Sequence, residues 1–276
     1  MSNILNDTTI CIFFRDDNFE RRRNLKAVVT YYFERIDNII VFYEHTYNID
    51  DSLVQFLQGK CTLILSRGRN DTWNKSIGYN QCAKLAKTPI LCFNDTDVVV
   101  EIEQLRATQD YLLKNNNTGI IYPFDGRFLC VDKALKNQAL DILDDHLTYD
   151  IIQDFKQFEP KTRNINDSTE HVFVGHNNSP GGIAMMRKDN FLKFGGYNPK
   201  FLGWGYEDSE ILSRARILGY KNGRASTMPC WHMDHTDESS SPKETQLYHE
   251  QNRLECSHVE SLNREQLERY IKTWSV

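Results

Sequence analysis

Three short stretches hold residues whose types and spacing suit chemistry. Leu91-Cys92-Phe93-Asn94-Asp95-Thr96-Asp97 is an apolar run that ends in an Asp-x-Asp. If that end is extended, Asp95 and Asp97 point the same way and can share one divalent cation. Pro229-Cys230-Trp231-His232-Met233-Asp234-His235 places two imidazoles three residues apart. Carboxylates with an imidazole suit an ion such as Mn²⁺. A zinc reading of Cys230, His232 and His235 meets a spacing too compressed for the usual zinc sites, with no second Cys pair. The third stretch is Gly203-Trp204-Gly205-Tyr206-Glu207-Asp208-Ser209-Glu210. Glu207 and Asp208 open an expected helix over 209–218, where the helix dipole favours carboxylates. A carboxylate held there can take a proton from an attacking hydroxyl. Upstream, Gly181-Gly182 is a pair that lets backbone approach a ligand closely.

Each feature has an ordinary structural reading beside it. Asp-Thr-Asp suits a turn. A lone His is more often a surface or core residue than a ligand. Glu207 and Asp208 suit a helix start with no chemistry attached.

The elements that would position these residues are strands alternating with helices. Strands are expected over 8–14, 38–43, 61–65 and 89–93. Helices are expected over 19–35, capped by Asp17 or Asn18, over 50–58, capped by Asp50 or Asp51, and over 73–87. A further helix over 101–115 and a strand over 119–123 follow. The span 131–158 reads as polar with a helical period, 237–243 as a mobile loop, and 243–270 as one or two charged helices. Ligands of such sheets bind beyond the carboxyl ends of the strands, which places Arg15 and Asp95 at one crevice.

Composition narrows the class. With 276 residues, 40% hydrophobic and 26% charged, the chain is an ordinary globular protein. A net charge of −5 gives no basic footprint, against a nucleic-acid partner. Seven cysteines without tight paired spacing read as reduced thiols, hence a cytoplasmic location. No stretch approaches the ~20 apolar residues of a membrane span, so any membrane association is expected to be peripheral. The polar start, 1–7, lacks a signal-peptide core.

The three stretches, in this order, resemble metal-dependent glycosyltransferases of the GT-A fold. The likeness is to the β-1,4-galactosyltransferase and chondroitin-polymerase type, and more distantly to polypeptide N-acetylgalactosaminyltransferases. It covers about residues 8–236, with 181–218 its most specific part and 124–174 matching nothing usable. The resemblance implies an α/β fold, a Rossmann-like nucleotide-binding half with a mixed central sheet fused to an acceptor-binding half. One domain over 1–276 would then divide into a nucleotide-binding half at about 8–100, a donor-sugar and acceptor half at 101–236, and a loop with C-terminal helices at 237–276.

The resemblance also implies roles. The Asp-x-Asp would serve metal and UDP-sugar, with Asp97 the direct ligand and Asp95 held nearby. His235, six residues after Pro229, would be the second ligand and His232 the fallback. Mn²⁺ or Mg²⁺ is the expected ion, and a glycan or glycoconjugate the expected acceptor. Trp204-Gly205-Tyr206-Glu207-Asp208 matches Trp-Gly-x-Glu-Asp intact. That makes Asp208 the general base of an inverting transfer, Glu207 a contact to sugar hydroxyls, and Trp204 and Tyr206 flat surfaces for a sugar ring. Ser209 departs from the further acidic residues often found there. Phe13-Phe14-Arg15 and the helix start at Asn74-Lys75 resemble nucleotide-contacting segments, so Arg15 and Lys75 are expected nucleotide contacts, with Gly182 beside the donor.

Other readings are a retaining transferase and a catalytically silent carbohydrate-binding subunit. The second would have been favoured by loss of Asp208 or of the Asp-x-Asp, and both are present. A sugar-nucleotide pyrophosphorylase would want a glycine-rich loop after the first strand. The chain has Arg15-Asp16-Asp17-Asn18 there.

Overall fold

The computed structural model describes residues 5–274 apart from 46–47, 69–72, 146–148, 163, 166 and 236–241. The expected loop at 237–243 therefore lies mostly outside the described residues.

The first third alternates as expected: β1 (Leu5–Asp16), α1 (Phe19–Phe33), β2 (Ile36–His45), α2 (Asp51–Leu57), β3 (Thr62–Arg67), α3 (Lys75–Leu85) and β4 (Ile90–Asn94). The helix starts are set by side chains that accept an otherwise unpaired backbone N–H. Asn18 caps α1, Asp50 caps α2 and Asn74 caps α3. Gly59, at φ +79°, follows α2 where the chain turns.

The remainder runs β5 (Val98–Val99), α4 (Ile102–Lys114), β6 (Thr118–Tyr122), β7 (Phe128–Val131), α5 (Lys133–Asp145), α6 (Ile151–Lys156), β8 (Val172–His176), β9 (Ile183–Arg187), α7 (Lys188–Lys193), α8 (Glu207–Ile217), β10 (Lys221–Arg224), β11 (Cys230–Met233), α9 (Pro242–Ser261) and α10 (Arg264–Ile271). The helical reading of 131–158 holds for α5 and α6, with only Val131 at its start in β7.

A seven-stranded sheet has the order β10-β6-β9-β4-β1-β2-β3. β1, β2, β3 and β4 are parallel, whereas β9 runs antiparallel to both β4 and β6. The sheet is thus mixed, and the two halves read from the sequence share it. Its middle strands are apolar because both faces are covered; all five residues of β4 are buried. A second sheet, β5-β11-β7-β8, has four strands. Among the described residues no helix is long and apolar enough to cross a membrane.

Candidate active site

The site lies where the two sheets meet, beyond the carboxyl end of β4. There Asp95-Thr96-Asp97 makes a turn between β4 and β5. Buried Asn94 ties this turn, donating to the Asp95 carbonyl at 2.6 Å and the Val98 carbonyl at 2.9 Å. The Asp95 N–H donates to the Gly182 carbonyl at 2.8 Å, and the Met233 N–H to the Asp97 carbonyl at 2.8 Å. The extended geometry expected of Asp-x-Asp is therefore corrected to a turn. Its two carboxylates separate. Asp95 is held by the Tyr79 hydroxyl at 3.0 Å and lies 3.6 Å from Lys75 Nζ. Asp97 faces two histidines.

The pairing of β5 with β11 explains that second arrangement. His232 is in register with Val98, one residue past Asp97. His232 Nε2 stands 3.7 Å from Asp97 Oδ1, and His235 Nε2 stands 3.3 Å from Asp97 Oδ2. One ligand atom from each of Asp97, His232 and His235 lies within 4.8 Å of the other two. Both histidines, His235 and the expected fallback His232, are thus brought to Asp97. Asp95 is not part of the group. Cys230 is not either: its buried thiol donates to the Arg127 carbonyl at 3.4 Å.

Burial and the mutual attraction of carboxylate and imidazole act against each other in this trio. Burial works to raise Asp97, but His232 and His235 outweigh it and hold the carboxyl below its usual range. Burial, with His235 alongside, pulls His232 below the usual imidazole range against the attraction of Asp97. A carboxylate beside a neutral imidazole presents lone pairs, the form in which both bind metal.

On the other side, α3 and α8 meet. Asn74 accepts from the Ile77 N–H at 3.0 Å and donates to the Pro199 carbonyl at 2.8 Å, which fixes the start of α3. Lys75 and Tyr79 then share one face, four residues apart. α8 is entered through Tyr206 at φ +73°, a left-handed conformation rare for a bulky residue. Glu207 accepts from the Gly205 N–H at 3.1 Å. Lys75 Nζ lies 2.8 Å from Glu207 Oε1 and 3.2 Å from Asp208 Oδ2. Tyr197 donates to Asp208 Oδ1 at 3.4 Å.

Burial raises the Asp208 carboxyl to about 7, with Glu207 and Asp95 adding to the effect and Lys75 opposing it. Burial likewise raises Asp95. Lys75 is pulled down by burial, but Asp208, Asp95 and Glu207 outweigh this and hold it well above its ordinary value.

A cavity of about 670 Å³ joins the two sides. Asp95, Asp97, His232 and His235 line it with Lys75, Gly182, Trp204, Tyr206, Glu207 and Asp208. Trp204 is 57% exposed, and its ring stacks on His249 of α9 with centroids 6.1 Å apart. Tyr206 lies 5.1 Å from the same imidazole.

Of the three expected nucleotide contacts, Lys75 and Gly182 line the cavity and Arg15 does not. β1 runs on to Asp16, so Arg15 sits within the strand, opposite Glu44 of β2. Arg21 of α1 lines the cavity instead. Lys75 is at the site but engaged with three carboxylates. Gly182 lines the cavity, yet its φ of +85° and the Phe128 ring demand glycine there, since a Cβ would stand 2.2 Å from Phe128 Cζ.

Sequence reasoning missed Tyr79, Arg21, His176 and His249. Tyr79 was within reach, through its four-residue spacing from Lys75. His249 gave no signal, because α9 reads as a charged, solvated helix.

Comparison with known proteins bears on the same segments. The profile of glycosyl transferase family 2 matches residues 11–189, and one described as the N-terminal domain of galactosyltransferase matches 171–236. Beta-1,4-galactosyltransferase 3 of Homo sapiens is 38% identical over 47 residues, 17% of this chain and 12% of that protein. Chondroitin sulfate synthase 3 of Homo sapiens is 25% identical over 158 residues, 54% of this chain and 17% of that protein; its Mus musculus counterpart has the same identity and span. The chain thus spans only a small part of the length of these relatives. The family 2 match takes in more than half of the chain, which therefore belongs to glycosyl transferase family 2, with the GT-A fold.

Proposed function

We propose that the chain transfers a sugar from a nucleotide-sugar, a UDP-sugar in the first instance, to a hydroxyl of a glycan acceptor, with inversion and dependence on a divalent metal. The observation that carries this reading is that one cavity is lined both by Asp97, His232 and His235 and by Asp208.

The residues fit a divalent ion. Asp97 offers a carboxylate held below its usual range, and burial pulls the His232 imidazole below its own. One oxygen and two nitrogen donors suit Mn²⁺ better than Mg²⁺, which prefers an oxygen set. A bound ion would offset the diphosphate charge as it leaves.

The chain's own residues account for the other half of the reaction. Asp208 accepts the acceptor O–H proton as that oxygen forms its bond to the anomeric carbon. The bond from that carbon to the diphosphate oxygen breaks, and its electron pair leaves with the diphosphate. A carboxyl that titrates at about 7 is well matched to this task near neutral pH. Trp204, with His249 behind it, offers a flat apolar face to a sugar ring.

The test is a turnover screen of UDP-, GDP- and dTDP-sugars with and without Mn²⁺, the product anomer read by NMR. The expected result is Mn²⁺-dependent release of UDP and an inverted anomeric centre. Metal-independent turnover, or retention, would contradict the proposal.

A further inference from the structure

The start of α3 places one ammonium among three carboxylates from two other segments. Lys75 Nζ is 2.8 Å from Glu207, 3.2 Å from Asp208 and 3.6 Å from Asp95. Its side chain is 10% exposed. The ammonium donates a hydrogen bond to Asp208, with Glu207 and Asp95 as further ion-pair partners. Gly181 closes over the cluster, for a Cβ there would stand 2.8 Å from Asp208 Oδ2. A diphosphate seeking this ammonium would meet like charge from all three acids.

We propose that Lys75 is a positioning residue: a tethered cation that aims Asp208 and Glu207 and keeps Asp95 away from the Asp97 site, not a contact to the nucleotide phosphates. The turn sends Asp97 towards the histidines and Asp95 towards Tyr79 and Lys75, so each carboxylate has its own counter-group. Glu207 is doubly held, by Lys75 and by the Gly205 N–H, which fixes the first turn of α8 and with it Asp208. The groups that face Asp208 are Lys75 and Tyr79 of α3, Asp95 after β4, Glu207 of α8, Tyr122 of β6 and Tyr197. Lys75 is the cation among them.

The proposal rests on the glycosyl-transfer reading for its kinetic test, and one readout is independent of it. Lys75→Met and Lys75→Arg are compared with the wild type in the full chain. The first measurement is calorimetry with UDP and Mn²⁺. The second is kcat and KM on the UDP-sugar that the wild type turns over. The third is a carboxyl ¹³C NMR titration of Asp208 without substrate.

Lys75→Met should keep UDP affinity within about threefold while kcat falls about tenfold or more. Its Asp208 titration and the acid limb of its rate profile should both move to higher pH, because the opposing ammonium is gone. Lys75→Arg should restore the pH position but only part of kcat, since a planar guanidinium cannot meet three carboxylates as an ammonium does. If Lys75→Met does not fold, Lys75→Arg decides by kinetics alone: a lowered kcat with UDP affinity kept supports the proposal, and an unchanged kcat or a loss of UDP affinity overturns it. Loss of UDP affinity with kcat preserved would overturn the proposal, as would an unmoved Asp208 titration. A wild type without UDP binding would instead contradict the proposed function and leave the NMR titration to judge Lys75.

Discussion

His235 Nε2 stands 3.3 Å from Asp97 Oδ2, although the two residues lie in separate segments, brought together where β5 pairs with β11. Val98 and His232 are in register, so one short ladder carries both sides of the candidate metal centre. Asp97→Ala, His232→Ala and His235→Ala should each weaken Mn²⁺ binding by more than the ~10–100-fold typical of groups behind the ligands. Asp95→Asn should weaken it far less, because Asp95 faces Tyr79 and Lys75. Calorimetry with Mn²⁺ on the four variants checks this. Equal losses for Asp95 and Asp97 would show that the two share the ion after all.

Asp208 also sets a pH dependence of stability. Its folded carboxyl titrates at about 7, above the ordinary 3.8, so the fold favours the protonated form. The stability from this group is full below the ordinary value and is lost as pH rises through about 7. Asp208→Asn cannot lose a proton. Its melting temperature relative to the wild type should therefore rise between pH 5 and pH 8 in the absence of ligand. A difference that is flat or falls over that range would refute the buried-carboxyl account.

Arg214 in α8 is fully buried and makes a bond of 2.7 Å to Glu210, also fully buried. It donates as well to the Phe194 carbonyl and, at 2.7 Å, to the Gly196 carbonyl. Arg214→Met would leave Glu210 as an unpaired buried acid, which costs about 3–5 kcal/mol. Arg214→Met with Glu210→Gln should recover part of this. Urea denaturation of both variants measures it.

How much of this was legible follows from length and burial. The first four strands are short apolar runs between capped helices, and Asn18, Asp50 and Asn74 cap as their types dictate. The strands of the second sheet have two to five residues, too few to show a period. In the large sheet, β10 reads Lys-Asn-Gly-Arg and looks like a loop; only its pairing with β6 makes it a strand. The Asp-x-Asp and its aptness for a turn are legible, but the separation of its two carboxylates is not, because the fixing bonds come from Gly182 and Met233, far along the chain. By local pattern alone, Lys75 is a helix-start cation suited to phosphate. That its three partners surround it is a fact of tertiary packing that no local pattern encodes.

The central claim is that Asp208 is the base of a glycosyl transfer whose donor is held by other residues. The most direct measurement is the transfer rate of Asp208→Asn at saturating donor and acceptor, beside a UDP and Mn²⁺ titration of the same protein. The account predicts a rate lower by ~10²–10⁴-fold with nucleotide and metal affinity little changed. Transfer near the wild-type rate, or a loss of UDP affinity that matches the loss of rate, would contradict it.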